Sequence, residues 1–262
     1  MHLPKQTPKQ QEIVKLQYQF RFLNTTQIQK FLNHNDKKRL NIWLKYLVSN
    51  DYLVRIYDAH KFGENTKPAV FYLGRNGIRF LKAQGNYQPE QLRKLYRERD
   101  RSKTFIANCQ LLADIALDLK AQSRNNLVFN WATSSDYTSL NSPYYPFSFL
   151  TELSVHFLFT REQNNKKNYY LLEILNTNLP PYRVRKKIRT YLEFLLNCDW
   201  LEHFKNPPEV LFVCQTKDLL IRTKRYTKKL LADEDKENIH ISFAQEDEVR
   251  KYGATAEIWE EV

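Results

Sequence analysis

Glu152, Glu173 and Lys187 are the only side chains in this 262-residue chain that assemble, by type and spacing, into a hydrolytic set. Two carboxylates can hold a divalent cation, which takes oxygen ligands, and an amine beside them can assist an attacking water. Glu173 stands in the run Leu172-Glu173-Ile174-Leu175, and residues 173 and 175 share one face of any strand built there. Leu175 therefore stands where a second acid or an activating amine is wanted. Lys187, on the next predicted helix, is the substitute within reach. The expectation is a degenerate centre with no cofactor, or with Mg²⁺ if it is active.

Other chemistries find little support. No G-x-x-x-x-G-K-[ST] occurs, and five glycines leave no loop to cradle a phosphate. The six histidines lack metal-ligand spacing, and the serines and cysteines lack a nucleophile elbow. A tyrosine nucleophile stays open among 16 candidates, although no pair of metal-binding histidines accompanies any of them. Cys109, Cys198 and Cys214, odd in number and far apart, fit neither a disulfide framework nor a zinc knuckle. With no apolar run long enough to cross a bilayer and no apolar leader at the start, a cytoplasmic protein with no membrane partner is expected.

Charge is the stronger signal. Forty-one Lys and Arg oppose 29 Asp and Glu, a formal net of +12. Residues 1–86 carry 15 basic and 5 acidic side chains, whereas residues 233–262 carry 3 and 10. A cationic body implies a polyanionic partner, and double-stranded DNA leads. The acidic end could dock on the protein's own basic surface.

Periodicity says which elements must present these groups. Ile13, Leu16, Gln17, Phe20 and Leu23 recur at helical steps, and the polar Asn24-Thr25-Thr26 is a good start for a second helix carrying Ile28, Phe31 and Leu32. A third helix over 36–50 has Leu40, Trp43, Leu44 and Leu47 as its apolar stripe. Lys37, Lys38, Arg39, Asn41 and Lys45 then point outward. Two strand-like runs follow, 52–57 and 70–73, joined by a polar connector. Three helices and a hairpin make a winged helix, whose third helix enters the major groove. Arg39 and Asn41 suit bidentate contacts to bases, and Lys37, Lys38 and Lys45 suit phosphates. Lys61, at the hairpin tip, would touch the neighbouring backbone.

Residues 1–86 are thus expected as a winged-helix domain, 87–101 as a charged linker helix and 102–262 as a second domain. There the order is helix (101–122), strands (127–131, 149–159, 168–176), helix (182–197), strand (210–214), helix (to about 231) and strand (239–243). This is the skeleton of the PD-(D/E)XK nuclease-like mixed sheet, so the fold class is α+β or α/β. Its helices carry two further basic clusters suited to a phosphate backbone: Arg183, Arg185, Lys186 and Arg189 beside Lys187, and Arg222, Lys224, Arg225 and Lys228 beside Lys229.

These features together resemble the replication-relaxation family, bacterial proteins of plasmid replication and DNA relaxation. The resemblance is carried by Arg39-Leu40, by the segment from Leu44 through Val48, Asp51, Tyr52, Leu53 and Arg55, and by Phe71-Tyr72-Leu73 running into Gly77 and Leu81. Leu172-Glu173-Ile174-Leu175, Lys187-Ile188-Arg189-Thr190-Tyr191 and Leu211-Phe212-Val213 extend it through the second half. The family's Pro-Asp has no clean counterpart. Pro146-Phe147 keeps the proline, and Thr151-Glu152 keeps an acid. The resemblance implies a DNA-binding role in replication, mobilisation or control of a plasmid or other mobile element. Replication, mobilisation or transposition proteins are then further partners, and a homodimer is compatible. A metal-dependent DNA nickase and a protein-docking adaptor are the alternatives.

Overall fold

The computed structural model describes residues 3–56, 67–124, 126–196, 200, 207–232 and 239–262. The chain divides into two compact units. One comprises Met1–Leu117 and Ser134–Ser148, the other Asp118–Thr133 and Phe149–Val262. Residues 87–117, expected as linker and second domain, therefore belong to the first unit.

In the first unit α1 (Pro8–Phe20) opens with a capping box in which Thr7 and Gln10 satisfy each other's backbone N–H groups. The helix ends earlier than the apolar spacing predicts. Arg21 takes φ 66°, and Leu23, expected on the helix, lies instead in the two-residue strand β1 (Leu23–Asn24). Asn24 caps α2 (Thr25–Phe31) with a second capping box, and Asp36 caps α3 (Lys37–Ser49) through the N–H groups of Lys38 and Arg39. Strands β2 (Leu53–Ile56) and β3 (Val70–Leu73) complete an antiparallel sheet in the order β1-β3-β2. Three helices with this sheet are the predicted winged helix. The hairpin tip with Lys61 lies outside the described residues.

Helix α4 (Arg75–Ala83) packs so closely that a Cβ on Gly77 would sit 2.4 Å from the Tyr52 carbonyl oxygen. The charged run beyond it is short α5 (Pro89–Leu95), a 3-10 turn (Glu98–Asp100) and the start of α6 (Lys103–Gln122), with α7 (Ser134–Tyr137) added from a later segment. Glu98, within that run, is 1% exposed and pairs with Arg21 and Arg101. Burial raises its carboxyl pKa, against the downward pull of Arg21 and then Arg101.

The second unit is a six-stranded mixed sheet in the order β4-β5-β6-β7-β8-β9. Strand β4 (Leu127–Thr133) pairs antiparallel with β5 (Phe157–Gln163), and β5 with β6 (Lys166–Leu175). Asn164 and Asn165, both at positive φ, form the two-residue turn that joins β5 to β6, the conformation tight hairpins favour. Helix α9 (Pro181–Leu196) crosses from β6 to parallel β7 (Glu209–Cys214), and α10 (Lys217–Ala232) crosses from β7 to parallel β8 (Ile241–Gln245). Residues 210–214 are all buried, as a strand covered on both faces requires. Short β9 (Glu260–Glu261) closes the edge antiparallel to β8. The meander and parallel crossovers are the expected nuclease-like core.

The strand expected over 149–159 is corrected. Its first half is a short helix, α8 (Leu150–Leu153), ended by Ser154 in the left-handed region, and β5 starts only at Phe157. Leu150 and Leu153 are the buried pair, a spacing of three that a strand cannot place on one face. Helix α11 (Glu246–Tyr252), between β8 and β9, completes the unit. No described helix is long and apolar enough to cross a membrane.

Candidate nucleic-acid interface and nuclease-like centre

Burial of Leu40, Leu44 and Leu47 turns one side of α3 inward and leaves Lys37, Lys38, Arg39, Asn41 and Lys45 exposed. None of the four cations forms an ion pair with a described residue. The Arg39 guanidinium lies over the Trp43 ring at 5.6 Å. Their position is the informative part. Lys37, Lys38 and Arg39 occupy the first three positions of the helix, where the positive end of the dipole disfavours cations by about 0.3–1 kcal/mol each. Ile42, which the reading of the sequence passed over, is 66% exposed amid this basic face. On a helical wheel it falls between Lys38 and Arg39.

In the second unit α9 buries Val184, Ile188, Tyr191 and Leu192 and turns Arg183, Arg185, Lys186 and Arg189 to solvent. Tyr226 of α10 joins the two basic clusters. Arg185 and Arg189 lie over its ring at 5.4 and 5.9 Å, and the Arg189 Nε donates to its hydroxyl at 2.7 Å. Arg225, Lys228 and Lys229 are exposed and without an acidic partner among the described residues. Arg222 and Lys224 differ, being paired with Asp218 at 2.5 Å and Glu260 at 2.9 Å. Surface pairs of this kind are worth at most about 1 kcal/mol. They still leave these two the least available of the cluster.

Glu173 is fully buried on β6, and three neighbours close around its carboxylate. Lys187 reaches in from α9 and donates to Oε1, while the Tyr191 hydroxyl, one turn further on, donates to Oε2 at 3.1 Å. His156, one residue before β5, has its Nδ1 at 3.0 Å from Oε1. The same Nδ1 lies 3.1 Å from the Ile174 backbone N–H. One nitrogen cannot accept from Ile174 and donate to Glu173 together. Burial lowers the His156 pKa below its ordinary value, against the upward pull of Glu173, and Lys187 lowers it further. The ring is then neutral, and Nδ1 accepts from Ile174.

The structure thus brings Glu173 and Lys187 together, and leaves Glu152 exposed on α8 rather than on the strand expected to carry it. Mg²⁺ does not fit these residues. The ion wants several oxygen ligands, whereas this centre offers one carboxylate whose two oxygens already accept from an ammonium and a phenol. Among the described residues no three His, Cys, Asp or Glu side chains group to hold a metal.

Two solved structures are similar in part. The adhesin competence repressor AdcR from Streptococcus pyogenes covers 45% of this chain and 81% of its own, at 20% identity and a TM-score of 0.26. Restriction endonuclease FokI covers 93% of this chain and 43% of its own, at 11% identity and a TM-score of 0.28. No family model and no curated protein matches the chain.

His156 was missed in the sequence because no spacing ties its segment to Glu173, and Tyr191 was passed over although its place one turn beyond Lys187 on α9 was the signal that could have found it. They yield a pH test. A histidine pKa lowered by folding contributes stability that is present above the unfolded value, near 6.5, and is lost as pH falls through the folded value. The melting temperature is therefore expected to fall below about pH 6.5, and the drop to be smaller in His156→Asn, whose amide oxygen can still accept from Ile174. Raised carboxyl groups such as Glu98 slope the opposite way. The difference between wild type and variant, followed by thermal unfolding, isolates the histidine, and parallel profiles would refute this assignment.

Proposed function

We propose that this chain is a duplex-DNA-binding protein whose nuclease-like unit does not cut. The winged-helix unit reads DNA through α3, and the second unit adds phosphate contacts from α9 and α10. The observation that carries this reading is the row of cations at the start of α3, which oppose the helix dipole and form no ion pair among the described residues; the contact of Arg39 with Trp43 is the one partial compensation seen there. Their position is accounted for by an anionic partner. Arg39 and Asn41 take the base-reading role, and Lys37, Lys38 and Lys45 the phosphate role. The resemblance to the replication-relaxation family supplies the setting, a plasmid or other mobile element. The nickase alternative finds no second carboxylate beside Glu173 among the described residues.

Ile42 adds specificity. An exposed aliphatic side chain on a reading helix suits the thymine methyl group. One titration series tests both statements, using labelled duplexes selected from a random pool and resynthesised with deoxyuridine for thymidine. Binding followed by fluorescence anisotropy is expected to weaken with salt by about 0.9 log units per log unit for each phosphate contacted. Loss of the methyl groups is expected to weaken it about fourfold, the value of ~0.8 kcal/mol for one buried methyl. Ile42→Ala should abolish that difference. Absence of duplex binding at low salt would sink the DNA reading, whereas equal affinity for the two duplexes would sink only the role of Ile42.

A further inference from the structure

We propose that the cleft formed by α5 and the turn behind it is a binding site for consecutive phosphate groups. The cleft measures about 470 Å³ and is lined by Arg93, Lys94, Arg97, Asp100 and Arg101. Four cations face one carboxylate. Arg93, Lys94 and Arg97 are exposed and form no ion pair among the described residues, where the one polar contact of their side chains is that of the Lys94 Nζ with Gln91. Long basic side chains on a convex surface spread apart and remain hydrated. Here they converge on a concavity, where like charges repel and the local field is focused. A multiply charged anion relieves that repulsion.

Arg101 is held ready for such an anion. Its guanidinium lies over the Phe105 ring at 4.9 Å, with Nε 3.7 Å from the buried Glu98 carboxylate. Arg21 covers the same ring at 4.6 Å and pairs with the same carboxylate. Ring and carboxylate thus fix the side chain from one side and leave other N–H donors of its fork for a ligand. A planar fork with several donors matches phosphate oxygens better than a point charge does. A single carboxylate would balance only one of the cations, whereas successive phosphates balance several within this volume. No aromatic or aliphatic side chain lines the cleft among the described residues, so recognition rests on the phosphates and not on a base or sugar. Two sources supply that chemistry: the backbone of a nucleic acid, or a free oligophosphate.

The Arg93→Ala, Arg97→Ala double variant separates them, since both side chains are exposed and a preserved melting temperature certifies the fold. Should it melt early, Arg97→Gln alone takes its place. In one arm a labelled duplex is titrated across a salt series. A backbone source is expected to make the log–log salt slope shallower by about 1.8 in the double variant, or ~0.9 for Arg97→Gln. In the other arm sodium tripolyphosphate is titrated calorimetrically into the intact chain. A free oligophosphate source is expected to give binding that the variant weakens at least tenfold while the duplex slope stays unchanged. An unchanged slope together with unchanged or absent tripolyphosphate binding overturns the proposal. The tripolyphosphate arm also decides it if the chain fails to bind duplex DNA, an outcome that would sink the DNA-binding reading by itself.

Discussion

Replacing Lys38 and Arg39 together by glutamate is expected to weaken duplex binding more than a hundredfold while leaving the fold at least as stable. Arg39 in a bidentate base contact is worth about 1–3 kcal/mol. Reversing Lys38 adds repulsion to the loss of a phosphate contact, so a total near 3 kcal/mol is reasonable, and each ~1.4 kcal/mol is a factor of ten. The stability side has the opposite sign. Glutamates at the second and third positions of α3 favour the helix dipole by about 0.3–1 kcal/mol each. What is lost is the contact of Arg39 with Trp43, about 0.5–1 kcal/mol at an exposed site. The cap survives, because Asp36 accepts from the backbone N–H groups of residues 38 and 39 and not from their side chains. Anisotropy and thermal unfolding on the same samples give both quantities. A folded variant with undiminished duplex affinity would turn the reading toward a protein-docking adaptor.

Much of this surface was legible because it depends on local periodicity. Leu40, Leu44 and Leu47 fix the inward side of α3, and Val184, Ile188 and Leu192 that of α9, so the outward cations follow from spacing alone. The strand at 210–214 was visible as an apolar run, because parallel strands are covered on both faces, whereas the last strand, expected over 239–243, runs two residues further along, over Ile241–Gln245. What failed was everything decided by distant partners. The run 92–101 reads as a solvated linker until Arg21, 77 residues away from Glu98, supplies the countercharge that lets that carboxylate be buried. Residues 149–153 carry β-compatible side chains, yet Leu150 and Leu153 bury at a helical spacing. That local choice moved Glu152 off the strand and removed the second acid of the anticipated pair. Lys187 was within reach of the reading because α9 follows β6 directly, whereas His156 lies on a neighbouring segment whose register no spacing reveals.

Lys187→Ala is expected to destabilise the second unit by about 3–5 kcal/mol, because it leaves the fully buried Glu173 carboxylate without its ammonium. For a unit of this size that corresponds to a fall in melting temperature on the order of 10 °C or more. The control removes the carboxylate together with its ammonium and phenol partners and leaves His156 its bond from the Ile174 N–H. Glu173→Leu, Lys187→Met and Tyr191→Phe together leave no orphaned charge or hydroxyl there, and replacing a buried ion pair by apolar groups of similar size is often neutral or stabilising. Most of the lost stability should therefore return. A structural pair also makes no use of divalent ions, so Mn²⁺ should not raise the melting temperature of the wild type, as a ligand of the folded state would. A catalytic pair gives the reverse pattern. Wild type would nick supercoiled DNA in Mg²⁺ or Mn²⁺, and Lys187→Ala and Glu173→Ala would lose the nicking at temperatures where they remain folded. That result would restore the hydrolytic reading and require a second oxygen ligand from outside the buried cluster.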